Sequence, residues 1–378
     1  MKRILVIFGT RPEAIKMAPL VKKLQEESLF ETKVCVTAQH REMLDQVLDL
    51  FEIVPDYDLD LMRRKQDLYD VTTDVLNGIK KVLKSYAADI VLVHGDTTTT
   101  FAASLAAFYS QVKVGHIEAG LRTGNIYSPW PEEANRKLTA QVTHYHFAPT
   151  QSAKRNLLME NIPEDQIVVT GNTVIDALFW MLEKIELDSK IKQSVLNELS
   201  DRSLKIDKDR KMILVTGHRR ENFGEGFIRI CNALKKIALS HPEIDIVFPV
   251  HLNPQVRQPV NEILGGVSNI QLIEPLSYAS FVYLMNLSYF IVTDSGGIQE
   301  EAPSLGKPVL VTRDTTERPE ALDAGTVKLV GTSVESIVSE AYTLLTNPKA
   351  YDLMSNAYNP YGTGIAVEHI LSFLKEAV

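Results

Sequence analysis

The chain has 378 residues, of which 45% are hydrophobic, enough for two ordinary domains with cores of their own and too many for a single small module. A formal charge of −8 and a pI near 5.7 argue against a broad surface for nucleic acid or another polyanion, while leaving room for a local cationic pocket. Cys35 and Cys231, the two cysteines, stand far apart; they offer neither a disulfide framework nor a zinc pattern and suit a reducing cytoplasm.

In chain order, the first apolar run, Ile4 to Phe8, stops at Gly9, too short for the apolar region of a secretion signal. No later segment reaches the ~18 apolar residues of a membrane span, so the expectation is a soluble cytoplasmic protein without membrane or nucleic-acid partners. Ile4–Phe8, Lys33–Thr37, Ile90–His94, Val112–His116, Tyr145–Ala148 and Ile167–Thr170 predict strands, each followed by helical or turn material. A second series follows at Met212–Thr216, Ile244–Val250, Ile270–Ile273, Tyr289–Thr293, Val309–Thr312 and Val327–Val330. Alternating strand and helix over this length implies parallel sheets covered on both faces. The expected division is a first domain over 1–170 and a second over 171–363, with the hinge near Gly171-Asn172 and the charged stretch Asp188–Lys211 as the first helical edge of the second. The last helix, 364–378, is expected to fold back onto the first domain.

Polar residues with chemical potential stand just after strands: Arg11, Asp96, Glu118, His218 and Ser295. Ligands collect at the carboxyl ends of strands in open parallel sheets, and two such domains facing each other place these five residues in one cleft. Ser295-Gly296-Gly297 opens a helix directly after a strand, presenting backbone N–H groups and the positive end of a helix dipole to a phosphate. Arg11 and Lys16, in GTRPEAIK, add two cations. One turn into the second helix, Glu300 or Glu301 is suited to accept hydrogen bonds from ribose hydroxyls, so the set points to a nucleoside diphosphate. Each feature also has a plainer meaning. Ser-Gly-Gly after a strand is often only a tight turn, Glu132 and Arg136 at i and i+4 read as a surface ion pair, and Thr97 to Thr100 read as helix-capping residues. His144 and His146 share one strand but lack a third ligand, which favours packing over metal. Gly224-Glu-Gly226 and Gly362-Thr-Gly364 lack a dinucleotide fingerprint and Gly306-Lys307 is followed by proline, so neither NAD nor ATP is indicated; no cofactor and no metal are expected.

The motifs GTRPEAIKMAPL, TAQHREMLDQ, VHGDTTTT, GHIEAGLRTG, SPWPEEANRKLT, TGHRRENFGEG, PVHLNP, TDSGGIQEEAPSLGKPVLV and TTERPEA closely resemble the non-hydrolysing UDP-N-acetylglucosamine 2-epimerases, in family order from Lys2 to about Gly364. The resemblance implies an α/β, GT-B-like fold of two Rossmann-like domains whose parallel sheets face a central cleft, and commonly a homodimer. It implies interconversion of UDP-N-acetylglucosamine and UDP-N-acetylmannosamine for surface polysaccharides, by anti elimination of UDP to an enzyme-bound 2-acetamidoglucal and syn re-addition. Asp96, Glu118, Glu132, Arg136 and His218 match the family's catalytic positions. Arg11, Lys16, Ser295, Gly296, Gly297, Glu301 and Arg318 match its nucleotide-sugar contacts, with Glu301 at the ribose. Phe281 lies at a position near the uracil, as does Leu276, which stands where some relatives carry glutamine. Some members bind a second UDP-N-acetylglucosamine as an activator; Gln39, His40 and His251 match that region, whereas Glu42 and Lys65 replace a glutamine and an arginine. A GT-B glycosyltransferase, a hydrolysing relative and a non-enzymatic UDP-sugar sensor are the competing readings. The first and third give no reason for so many acids in the first half, and the second usually carries a kinase domain for which this chain has no room.

Overall fold

The computed structural model describes residues 1–37, 41–61, 63 and 66–377. The chain forms two compact units, Met1–Ala177 together with Tyr361–Val378, and Leu178–Pro360. The first contains β1 (Lys2–Phe8), β2 (Phe30–Val36), β3 (Tyr57–Asp58), β4 (Ile90–His94), β5 (Lys113–Ile117), β6 (Tyr145–Ala148) and β7 (Ile167–Val169). These build a seven-stranded sheet in the order β3-β2-β1-β4-β5-β6-β7, with every pairing parallel. All five residues of β4, IVLVH, are buried, as a parallel strand covered on both faces requires. The edge strand β3 carries no apolar run and was not expected. It forms because Asp56 accepts from the Val34 amide at 2.9 Å, which brings Tyr57 and Asp58 into register with Cys35 and Val36.

The second unit contains β8 (Met212–Thr216), β9 (Asp245–Pro249), β10 (Ile270–Ile273), β11 (Phe290–Thr293), β12 (Val309–Val311) and β13 (Val327–Leu329), again parallel, in the order β10-β9-β8-β11-β12-β13. In each sheet the chain winds outward on one side of its first strand and then returns to its other side. The reversal falls between β1 and β4 and between β8 and β11. A crevice opens beyond the strand ends at such a point, because the two connections leave in opposite directions. Leu5, Ile7, Val91, Val93 and Ala102 anchor one core, and Phe227, Leu234, Phe248 and Phe290 another. Each of these side chains larger than alanine contributes about 1.5–3 kcal/mol by leaving water.

The helix Thr173–Leu187 carries the chain from one unit to the other, the division falling after Ala177. On its first turns the buried Asp176 accepts from the amides of Ala366 and Val367, at 3.2 and 3.0 Å. Those amides open the helix Ala366–Ala377, whose Phe373 meets the edges of Tyr145 and Phe147 in the first unit. Among the described residues, no helix is long and apolar enough to cross a membrane.

Candidate functional site

In the first unit the turn after β1 is built around a residue that sequence reasoning left out, Glu13. Thr10 caps the helix Arg11–Glu26, and Glu13 returns the favour by accepting from the amides of Gly9 and Thr10 at 3.0 and 2.8 Å. Its other oxygen accepts from the hydroxyls of Thr97 and Thr100, at 2.6 and 3.1 Å, so one buried carboxylate ties the turn after β1 to the turn after β4. Burial raises its pKa against the pull of those hydrogen bonds. A Cβ on Gly9 would fall 2.1 Å from Thr37 Oγ1, so only glycine fits beneath this turn. The signal was present in Thr10-x-x-Glu13, a capping box; Thr97 is a helix cap, as expected.

That scaffold aims Lys16 across the sheet, where its ammonium pairs with Glu118 after β5. Glu118 holds a left-handed backbone, φ 64°, which costs a non-glycine residue roughly 1–2 kcal/mol and is usually tolerated where a side chain has a task. Its carboxylate also accepts from Asn172 Nδ2 at 2.8 Å and lies 3.7 Å from His94 Nε2. Burial lowers the His94 pKa to about 3, so this neighbour is neutral. At the end of the neighbouring strand β4, Arg136 donates to Asp96 Oδ2 through Nε and Nη2, at 2.9 and 2.6 Å, and to Glu133 through Nη1 at 3.0 Å. Asn135 holds the Asp96 carbonyl at 2.9 Å. The surface pair expected between Glu132 and Arg136 is therefore replaced by bonds to Asp96 and Glu133. Glu132 is half-buried at the start of the helix Glu132–Val142, on which Glu133 is wholly buried. His146 is buried and neutral, with its pKa lowered to about 3 by burial, and His144 stacks edgewise on Tyr145. No group of three or more His, Cys, Asp or Glu among the described residues is placed to hold a metal.

In the second unit the residue missed is Asp294, wholly buried after β11. It accepts from the amides of His218 and Arg219, each at 2.9 Å, and from Asn222 Nδ2 at 3.3 Å, and one oxygen lies 3.4 Å from His218 Nδ1. His218, after β8, is thereby fixed at its backbone, with Nδ1 of its ring beside the Asp294 carboxylate. Burial lowers its pKa, with Arg219 and His251 adding to this against the opposing pull of Asp294. The His251 ring lies over it, centroids 5.8 Å apart. Beside it the helix Gly296–Ser304 begins at Ser295, whose hydroxyl makes no capping bond. A Cβ on Gly297 would stand 3.7 Å from Glu301 Oε2 and 4.0 Å from Ser295 Oγ, so hydroxyl and carboxylate flank the bare helix start. Glu300 is turned inward to pair with Arg318, which separates the two adjacent acids: Glu301 faces the helix start and Glu300 positions the arginine. A second ion cluster, Arg219–Glu317–Arg313–Glu221, closes the same end, with Glu317 held at a pKa of about 2 by a backbone hydrogen bond and Arg313 despite its burial.

Residues 22–375 match the sequence model of the family described as UDP-N-acetylglucosamine 2-epimerase. The chain belongs to that family. It is 61% identical to the UDP-N-acetylglucosamine 2-epimerase of Yersinia pestis, over 99% of this chain and 98% of that one, and 60% identical to that of Escherichia coli K12 over the same shares. The crystal structure of UDP-GlcNAc 2-epimerase from Neisseria meningitidis bound to UDP-GlcNAc is 55% identical, with a TM-score of 0.90 over 99% of this chain and all of that one. A MurG from Acinetobacter baumannii, 14% identical with a TM-score of 0.60, shares the fold alone. The fold is thus of the expected GT-B-like class, with a parallel-sheet α/β domain in each unit. Among the positions this epimerase family suggests, Leu276 and Phe281 are half-buried around Ser277, which caps the helix Tyr278–Leu287. Glu198 fixes that cap by accepting from the Ser277 amide and hydroxyl at 3.0 and 2.6 Å. His251 is exposed after β9, while Gln39, His40 and Lys65, and the side chain of Glu42, lie outside the described residues.

Proposed function

We propose that this member of the family interconverts UDP-N-acetylglucosamine and UDP-N-acetylmannosamine by elimination and re-addition of UDP. The C2 hydrogen of the sugar is not beside a carbonyl, so simple deprotonation has no enolate to lower its barrier. A leaving group at C1 supplies the alternative. A base takes the C2 proton, the C–H electron pair becomes the C1–C2 double bond, and the C1–oxygen pair departs with UDP in an anti sense. UDP then adds back to C1 of the 2-acetamidoglucal while C2 is protonated from the opposite face, a syn addition that inverts C2. Asp96, Glu118 and Glu132 share the proton transfers in this reading, with Arg136 orienting Asp96. His218 stabilises or protonates the departing phosphate. Arg11, Lys16, Ser295, Gly296, Gly297 and Arg318 take the diphosphate, Glu301 the ribose, and Phe281 with the Leu276 backbone the uracil.

The observation that carries the reading is the first unit's half-buried charge set, Lys16 on Glu118 and Arg136 on Asp96, at the strand ends beside the switch point. A nucleotide-sugar sensor or transferase has no use for two carboxylates held ready by cations. The likeness to a relative solved with UDP-GlcNAc supports the substrate. We further propose a cytoplasmic homodimer that supplies surface polysaccharide synthesis, with Gln39, His40 and His251 beside a second, activating UDP-N-acetylglucosamine. Proton NMR in deuterated water tests the chemistry: UDP-N-acetylmannosamine appears and both sugars gain deuterium at C2. Free N-acetylmannosamine with UDP would mean hydrolysis instead, and an unchanged bound sugar would mean a sensor or transferase. Full exchange in all of Asp96→Asn, Glu118→Gln and Glu132→Gln would remove the assigned roles.

A further inference from the structure

Glu132 and Glu133 are adjacent acids, and the reaction above uses the first. The second is the more deeply placed: it is wholly buried while carrying a carboxylate. Burying a charged group is costly unless it is fully partnered, and its partners reveal its work. Oε2 accepts from the Thr123 amide at 3.1 Å and from Arg136 Nη1 at 3.0 Å, and Oε1 accepts from the Gly124 amide at 3.2 Å. The loop so held is short and internally tied, with Thr123 Oγ1 donating to the Ser128 carbonyl at 2.6 Å, and its side chains Ile126, Tyr127 and Trp130 are exposed. Arg136 directs Nε and Nη2 to the same oxygen of Asp96, Oδ2. The guanidinium is planar and its fork rigid, so fixing Nη1 fixes the direction of the other two donors.

We infer that Glu133 is a positioning residue for the reaction: by clamping Arg136 and the Thr123–Gly124 backbone together, it holds the guanidinium edge-on to a single oxygen of Asp96 and so leaves the other oxygen for the sugar. This rests on the proton-transfer role proposed for Asp96. Glu133 itself touches no substrate. Were it only a structural clasp, its loss would weaken the fold and leave turnover per folded molecule unchanged. As a positioning residue it acts through Arg136, so its loss lowers kcat and has nothing left to lower once Arg136 is gone.

The experiment is a double-mutant cycle on the full chain with Glu133→Gln, Arg136→Gln and the pair, reading C2 deuterium exchange as kcat and KM for UDP-N-acetylglucosamine. Expected are a fall of at least about tenfold in kcat for E133Q with KM within about threefold, and a negligible further fall when E133Q is added to R136Q. Amide exchange at Thr123 and Gly124 should rise in E133Q and remain slow in R136Q. Costs that multiply in the pair, a loss confined to KM, or wild-type kcat in E133Q would overturn the inference. If E133Q does not fold, Glu133→Asp, which keeps the charge and withdraws it by one methylene, enters the same cycle with the same expectations. Absence of exchange in the unsubstituted protein would instead sink the proposed epimerisation, a result separable from the first because the amide-exchange arm still reports the clamp.

Discussion

With its carboxylate wholly buried at the end of β11, Asp294 gathers two backbone amides and the Asn222 side chain, and so sets where His218 stands. Those bonds are charge-assisted, and an asparagine would turn an N–H toward the donating amides of His218 and Arg219. Asp294→Asn is expected to lower stability by about 1.5–3 kcal/mol in urea unfolding, the range for hydrogen bonds to a charged group. It should also slow C2 exchange at least about tenfold, because the imidazole loses its orientation as well as its charged neighbour. The two measurements separate: a stability loss with unchanged exchange would mean that His218 finds its place without Asp294. Glu13 and Glu133 follow the same pattern in the first unit, each a carboxyl group that accepts from two backbone amides and so fixes the turn beside it.

At the scale of elements, the helix Ala366–Ala377 depends on a borrowed cap. Asp176 accepts its first amides from a different helix, and burial raises the pKa of that carboxyl to about 6 in spite of both hydrogen bonds. Since the folded value lies above the ordinary 3.8, the folded protein binds this proton more tightly than the unfolded chain. The contribution is therefore fully present below about pH 4 and is lost as pH rises through about 6, amounting to about 3 kcal/mol at 1.36 kcal/mol per pH unit. Asparagine cannot titrate, so the stability difference between the unsubstituted protein and Asp176→Asn should fall by about 2–2.5 kcal/mol between pH 4 and pH 7, most of the full contribution, measured by urea unfolding at both. A constant difference would show that the site is wetter than its burial implies. The strands were legible in the sequence where parallel pairing demands continuous apolar runs, as in Ile90–His94, and illegible at Tyr57–Asp58, where the Asp56 carboxylate and pairing to Cys35 and Val36 make a strand without an apolar run. Asp96, Glu118 and His218 were legible because strand ends concentrate ligands. Which of Glu132 and Glu133, or of Glu300 and Glu301, turns inward was not, because that depends on partners such as Gly124 and Arg318 that only the folded chain supplies.

For the molecule as a whole, binding of UDP to the folded chain should register as added stability. UDP at about 100 times its Kd is expected to stabilise the protein by about 2.7 kcal/mol, read as a concentration-dependent rise in Tm. Glu301→Gln should weaken UDP about tenfold, or about 1.4 kcal/mol, and shrink that rise; an identical rise in the variant would remove Glu301 from the ribose.

The first unit is assembled from two stretches of chain, Met1–Ala177 and Tyr361–Val378, with all of the second unit between them. On the ribosome, the second unit can close as soon as Pro360 clears the exit tunnel, but the first must wait with its Asp176 and the faces of Tyr145 and Phe147 unmet until the final helix has been made. The order of completion during synthesis is then the reverse of the order of translation. The half-finished first unit, with apolar surface exposed for the time taken to make roughly 200 residues, is the stage at which the nascent chain most needs a chaperone.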